Sequence, residues 1–127
     1  MVARPDVDFE KFRLRTFVNE LIKREEVEVH DQQVDLCDLS RHIEATPKAS
    51  LFRQVGPEKS ELVAAVSGSR KRVALAFGVN ERELADEFLR RRNNPQPIID
   101  IRHSVAPVQK IVWEGQDADL TRLPFHL

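Results

Sequence analysis

Apolar residues first recur at helical spacing at Leu14, Phe17, Val18, Leu21 and Ile22, a run of i, i+3, i+4, i+7 and i+8 that puts all five on one face. The spacing predicts a helix over residues 14–24, and Phe9 and Phe12 would extend its face if it began near Asp6 or Asp8. Beyond Glu25 and Glu26, Val27-Glu28-Val29-His30 alternates with the period of a strand. A second short helix is expected over residues 36–45 with Leu36, Leu39 and Ile43 inward. Thr46-Pro47 ends it, because a residue before proline is driven out of the helical region. Ser50–Val55 reads as a strand closed by Gly56-Pro57. Leu62–Val66 is a compact apolar run, too short for a buried helix, and predicts a central strand.

Ser67-Gly68-Ser69 marks a turn, and Arg70–Phe77 a short helix stopped by Gly78. Asn80 with Glu83 three residues on resembles a capping box for the next helix. Leu84, Phe88 and Leu89 form its inner stripe, and Asn93-Asn94-Pro95 stops it. A last extended region is expected over Val108–Trp113, ending near Gly115. Helices and short strands alternate, which predicts an α/β (α+β) fold, a single small mixed sheet with helices packed on it. No repeat, low-complexity tract or linker divides the chain, so residues 1–127 are expected to form one domain.

Composition narrows the function. At 41% hydrophobic and 32% charged residues the chain can bury a core beneath a densely charged surface. Twenty basic against 21 acidic residues leave a formal net charge of −1, which gives no electrostatic case for a nucleic-acid or membrane partner. No apolar run approaches the roughly 20 residues needed to cross a bilayer, and Met1–Asp6 lacks the apolar core of a signal peptide. The single cysteine, Cys37, excludes an internal disulfide and CxxC chemistry, and fits a reducing cytoplasm.

Few residues suggest chemistry. Ser67-Gly68-Ser69-Arg70-Lys71-Arg72 places a small-residue turn before a helix N-terminus, a geometry that can hold an anion. It lacks the spacing of a P-loop, and the favoured reading is an ordinary strand-to-helix turn with solvated basic residues. Arg90-Arg91-Arg92 falls in the last turn of its helix, where cations complement the dipole. His30, His42, His103 and His126 have no histidine or cysteine partner at i+3 or i+4, so no local metal pair forms and surface positions are expected for each. Cys37 is expected to be a small core or boundary residue rather than a nucleophile. Asp117 and Asp119 should face opposite ways along an extended segment, and Trp113 should anchor the final strand. The residues by themselves yield no catalytic, cofactor-binding or metal-binding set.

Five stretches in order carry a family likeness. They are the helix and strand from Leu14-Arg15-Thr16-Phe17-Val18 to Val27-Glu28-Val29 with Val34-Asp35 after it, then Ala49-Ser50-Leu51-Phe52-Arg53-Gln54-Val55, then Gly68-Ser69-Arg70-Lys71-Arg72-Val73-Ala74-Leu75-Ala76-Phe77-Gly78-Val79. Pro107-Val108-Gln109-Lys110-Ile111-Val112 and Asp117-Ala118-Asp119-Leu120-Thr121-Arg122-Leu123-Pro124 complete them. With these, residues 14–127 resemble the N-terminal domain of UbiD-type decarboxylases, the prenylated-FMN-dependent carboxy-lyases of aromatic and unsaturated acids; residues 1–13 would be an N-terminal extension. The chain departs from the pattern at Glu25-Glu26, where the family often has a glycine before the glutamate, and at Thr46-Pro47-Lys48, which replaces a glycine-rich turn.

The resemblance implies a front piece of a larger enzyme, in the same chain or as a separate subunit. It also implies a complete enzyme that is oligomeric and uses prenylated FMN with a divalent metal ion. There the substrate adds to the cofactor, carbon dioxide leaves and a glutamic acid protonates the product. It places the catalytic Arg-Glu-Glu set and the cofactor contacts downstream of Leu127, so this chain by itself is expected to be inactive and to support packing of the cofactor domain. Asp117–Pro124 would sit at the junction, with only Phe125, His126 and Leu127 following. The other expectation is a stand-alone protein-interaction module derived from that domain.

Overall fold

In the computed structural model, which describes residues 10–98 and 100–124, the first amphipathic run forms α1 (Leu14–Lys23). Val18 and Leu21 are buried, Phe17 and Ile22 half-buried, while Leu14 at the start of the face stays exposed. Phe12 lies exposed in the turn before the helix and does not extend the face; Asp6, Asp8 and Phe9 fall outside the described residues. The helix ends in a left-handed corner. Glu25 takes φ 58°, and the amides of Glu25 and Glu26 donate to the carbonyls of Ile22 and Leu21. A non-glycine residue in this left-handed position bears strain that glycine would not.

The sheet follows. β1 (Val27–Val34) runs four residues further than its alternating run suggested. Its polar half bulges between His30 and Gln33, where Gln33 Nε2 donates to the Gly56 carbonyl and Gln54 Nε2 to that of Asp31. A single 3₁₀ turn, Leu36–Asp38, leads into α2 (Leu39–Glu44), so the second helix is shorter than expected, though Leu36, Leu39 and Ile43 do face inward. β2 (Ala49–Val55) lies parallel to β1, and a turn with Gly56 at φ 63° returns the chain as antiparallel β3 (Ser60–Ala64).

The order β1-β2-β3 makes β2 the central strand and corrects the expectation for Leu62–Val66. That apolar run belongs to an edge strand, half-buried, which stops at Ala64 because Ala65 turns left-handed at φ 57°. The strand buried on both sides is β2, exposed only near Arg53 and Gln54. Alternation gives the sheet two working faces. Phe52, with Val34 and Val55, packs against Leu39, Leu36, Ile43 and Leu62, which is the main core. Leu51 and Val63, paired across the strands, point to the other side toward α1.

Two more helices complete this part. α3 (Arg70–Phe77) begins and ends as its sequence predicts: Ser69 Oγ accepts from the Arg72 amide, and Gly78 closes the helix at φ 73°. α4 (Leu84–Asn93) starts later than the Asn80 cap implied. Glu83 reaches back to the Asn80 amide at 3.1 Å, but the Asn80 side chain donates to Glu83 instead of accepting from the helix. Only half of the capping box forms, ahead of the helix. From Pro95 onward the described chain holds isolated 3₁₀ turns and no strand, so Val108–Trp113 is not the expected extended element. Pro107 starts one of those turns and interrupts the run.

Replacing Glu25 with glycine should relieve the left-handed corner and raise unfolding stability by about 1 kcal/mol. Urea unfolding of the two chains checks this, and an unchanged or lowered midpoint would show that the corner is unstrained.

Candidate functional site

The turn Ser67–Arg72, the one sequence element with anion-binding potential, directs most of its side-chain groups to partners within the protein, while Arg72 Nε is buried without one. Ser69 caps the helix N-terminus. Arg70 donates Nε and Nη2 to the Glu81 carbonyl at 3.2 and 3.0 Å. Lys71 pairs with Glu26. Arg72 is not solvated at all: it is 2% exposed, and its Nη1 donates to Glu26 Oε2 at 3.3 Å and to the Pro47 carbonyl at 3.1 Å. The two cations hold the Glu26 carboxyl below the usual carboxylate range, with the Lys71 hydrogen bond the largest cause. The stretch is an ordinary strand-to-helix turn with Arg70 and Lys71 exposed as expected; Arg72 alone departs from a solvated position, buried against Glu26.

In the second basic cluster Arg90 and Arg91 are exposed yet bonded within the chain. Arg90 donates through two nitrogens to Glu87 at 2.7 Å each, and Arg91 Nε donates to Glu87 at 2.6 Å. These bonds, that from Arg90 first, pull the Glu87 carboxyl down to about 2. Arg91 also donates to the Phe77 carbonyl at 2.6 Å and lies 4.7 Å over the Phe77 ring, fastening α4 to the end of α3. Arg92 completes the basic last turn.

The histidines divide. His30 stacks on Phe52 with ring centroids 4.6 Å apart, and His42 meets His30 edge-on at 5.2 Å. Surface placement therefore fails for His30, whose Nε2 is buried without a hydrogen-bond partner, and His42 is half-buried beside it. The signal missed was register: His30 stands opposite Phe52, so it shares the face of the main core. His103 is exposed in a 3₁₀ turn, and His126 lies outside the described residues. Cys37 is exposed rather than at the core boundary. Among the described residues no three His, Cys, Asp or Glu side chains come together to hold a metal ion.

The C-terminal stretch behaves differently from the rest. Ile98 is 95% exposed, Val108 82% and Ile111 76%, with Ile101, Val105, Val112 and Leu120 also more than half exposed. Trp113 anchors no strand; it is 45% exposed with the Arg122 guanidinium 4.9 Å over its ring. Asp117 and Asp119 belong to two successive 3₁₀ turns rather than one extended segment. Asp119 accepts from the amide and hydroxyl of Thr121, which lowers its carboxyl's affinity for protons. A further apolar surface lies on the helical hairpin, where Leu84 is half-buried but Phe88 and Leu89, expected on an inner stripe, are exposed beside Phe77. So many uncovered apolar residues in succession mark a surface meant to be covered. No helix among the described residues is long and apolar enough to cross a membrane.

Two outcomes test these clusters. Arg72→Met should cost about 3 kcal/mol of unfolding stability, since it strips a buried bridge and leaves Glu26 to Lys71 alone; a loss below about 1 kcal/mol in urea unfolding would refute the clamp. The depressed Glu87 carboxyl stabilises the fold above about 4.5, its ordinary value, and that contribution disappears as pH falls through about 2. Carboxyl-carbon NMR should show Glu87 titrating near the lower value, and Glu87→Gln should flatten the acid limb of the stability curve. A Glu87 midpoint near the ordinary value would rule this out.

With this geometry in place, the chain can be set beside known protein families. Residues 18–92 match the family model described as the 3-octaprenyl-4-hydroxybenzoate carboxy-lyase N-terminal domain. The matched span covers more than half of the chain. It takes in the sheet, both basic clusters and α4 as far as Arg92, and ends before the exposed apolar stretch.

Proposed function

From the premise that the chain belongs to the 3-octaprenyl-4-hydroxybenzoate carboxy-lyase N-terminal domain family, we propose that it is the front domain, or a small separate subunit, of a UbiD-type decarboxylase. The complete enzyme would release carbon dioxide non-oxidatively from an aromatic or α,β-unsaturated carboxylic acid. Prenylated FMN with a divalent metal ion would supply the electron sink for that chemistry, as cofactors generally do. The described residues do not fit that pair. Among the described residues no metal-binding trio comes together, Ser69 caps the α3 N-terminus, and the Lys71 and Arg72 side chains beside it pair with Glu26. We place the catalytic, cofactor and metal residues in the remainder of the enzyme, as the family resemblance implies.

The observation that carries this reading, beside the family, is the exposed apolar stretch from Ile98 to Leu123. Water contact with so many Ile and Val side chains is unfavourable, and burying each against a partner contributes about 1–3 kcal/mol. The segment that follows α4 therefore supplies the adhesive surface, and the sheet and helices before it form the support. The same exposure favours the second reading, a stand-alone interaction module, if the partner is some other protein.

The test is reconstitution. The chain and a separately produced remainder of a UbiD-type decarboxylase should co-purify and together release carbon dioxide from a panel of aromatic and α,β-unsaturated acids. A paired Ile111→Asp, Trp113→Asp variant should lower complex formation at least about tenfold. Turnover by the isolated chain supplied with prenylated FMN would overturn the assignment. A stable dimer that ignores the remainder would select the interaction module.

A further inference from the structure

Between the first turns of α1 and the β2–β3 ribbon lies an open cavity of about 480 Å³. Its floor is apolar: Val18 and Leu51 are buried and Val63 half-buried, with exposed Leu14 standing as one wall. Its rim carries Arg13, Arg15 and Arg53 with Glu61, and Arg13 is also paired with Glu10 at 3.1 Å. Arg15 Nη1 donates to Glu61 Oε1 at 2.8 Å, and Arg53 Nη1 lies 3.5 Å from Glu61 Oε2. Two guanidinium groups from different elements thus converge on one carboxylate at the edge of an apolar hollow.

Fold stability gives little reason for this arrangement, because exposed ion pairs add little and drawing cations together works against it. Recognition gives a better one. A guanidinium offers five N–H donors in a planar fork, so each arginine keeps donors beyond those that Glu61 uses. The volume is that of a small-molecule site, and an apolar lining with a few convergent polar groups is the usual form of one.

We propose that this cavity binds a small organic carboxylate with an apolar body. The body lies on Val18, Leu51 and Val63 beside Leu14, and the carboxylate takes Arg15 and Arg53 in competition with Glu61, which occupies their donors when no ligand is present. The site requires only this chain's residues and stands whether or not the carboxy-lyase reading holds.

Phenylacetate is the probe, titrated into the full chain while backbone amide NMR shifts are followed. Acetate tests for the apolar body and phenylethanol for the charge. Phenylacetate should move the amides of α1, β2 and β3, with acetate and phenylethanol each at least about tenfold weaker. Arg15→Gln with Arg53→Gln, both exposed enough to leave the fold intact, should weaken phenylacetate at least about tenfold. Glu61→Gln should tighten it several-fold by removing the internal competitor, a gain that a purely structural ion network would not produce. Equal shifts with acetate, or an affinity that none of these substitutions changes, would overturn the proposal.

Discussion

The buried guanidinium of Arg72 is the interaction on which the arrangement of the other elements depends. An unpaired charge inside a protein costs several kcal/mol, so any fold that buries this arginine must bring partners to it. Those partners come from two distant places: Glu26, at the junction of α1 and β1, and the Pro47 carbonyl, in the loop between α2 and β2. A single side chain thereby fixes α3 against both connections that enter the sheet from the same end. The requirement reaches back into the turn as well. A Cβ on Gly68 would lie 3.2 Å from Arg72 Nη2 and 3.0 Å from the Ala65 carbonyl, so the glycine two residues before α3 makes room for the clamp.

The corners serve the same end. Glu25 in left-handed geometry delivers Glu26 to Lys71 and Arg72 immediately after α1 stops. Gly56 sets the tight return that lays β3 on β2, and Gly78 turns the chain from α3 toward α4, where Arg91 and Glu87 hold the hairpin at Phe77. With β1 parallel on one side and β3 antiparallel on the other, β2 is paired along both edges.

What remains available for interaction lies outside the clamped framework. The stretch after α4 exposes a succession of apolar side chains with no sheet to join, and the α1 side of the sheet keeps an arginine-rimmed hollow that α1 leaves uncovered. The first suits a broad partner surface and the second a small charged molecule. A fold of this kind does not by itself carry chemistry.

Local chemistry made much of this readable from the chain. The 3.6-residue spacing gave α1, the Ser69 and Gly78 caps bounded α3 to the residue, and Pro47 and Pro95 marked stops, because each of these signals acts within a few residues of itself. The mixed α+β sheet and the family could be read for the same reason, from short motifs in order. Other features depended on partners far along the chain. Nothing near Leu62–Val66 says that its neighbour on one side is missing, so an edge strand looked central. Nothing near Arg72 announces a carboxylate 46 residues away, so a buried clamp looked like a solvated turn. His30 looked like a surface residue until register set it against Phe52. The sequence by itself determined the type of most elements before Pro95 and both ends of α3, since backbone preference and capping are local, but not the ends of β1, β3 or α4. Only the tertiary structure decided which strand is central, which charges are buried and which apolar residues stay uncovered, since those follow from contacts between segments that share no local signal.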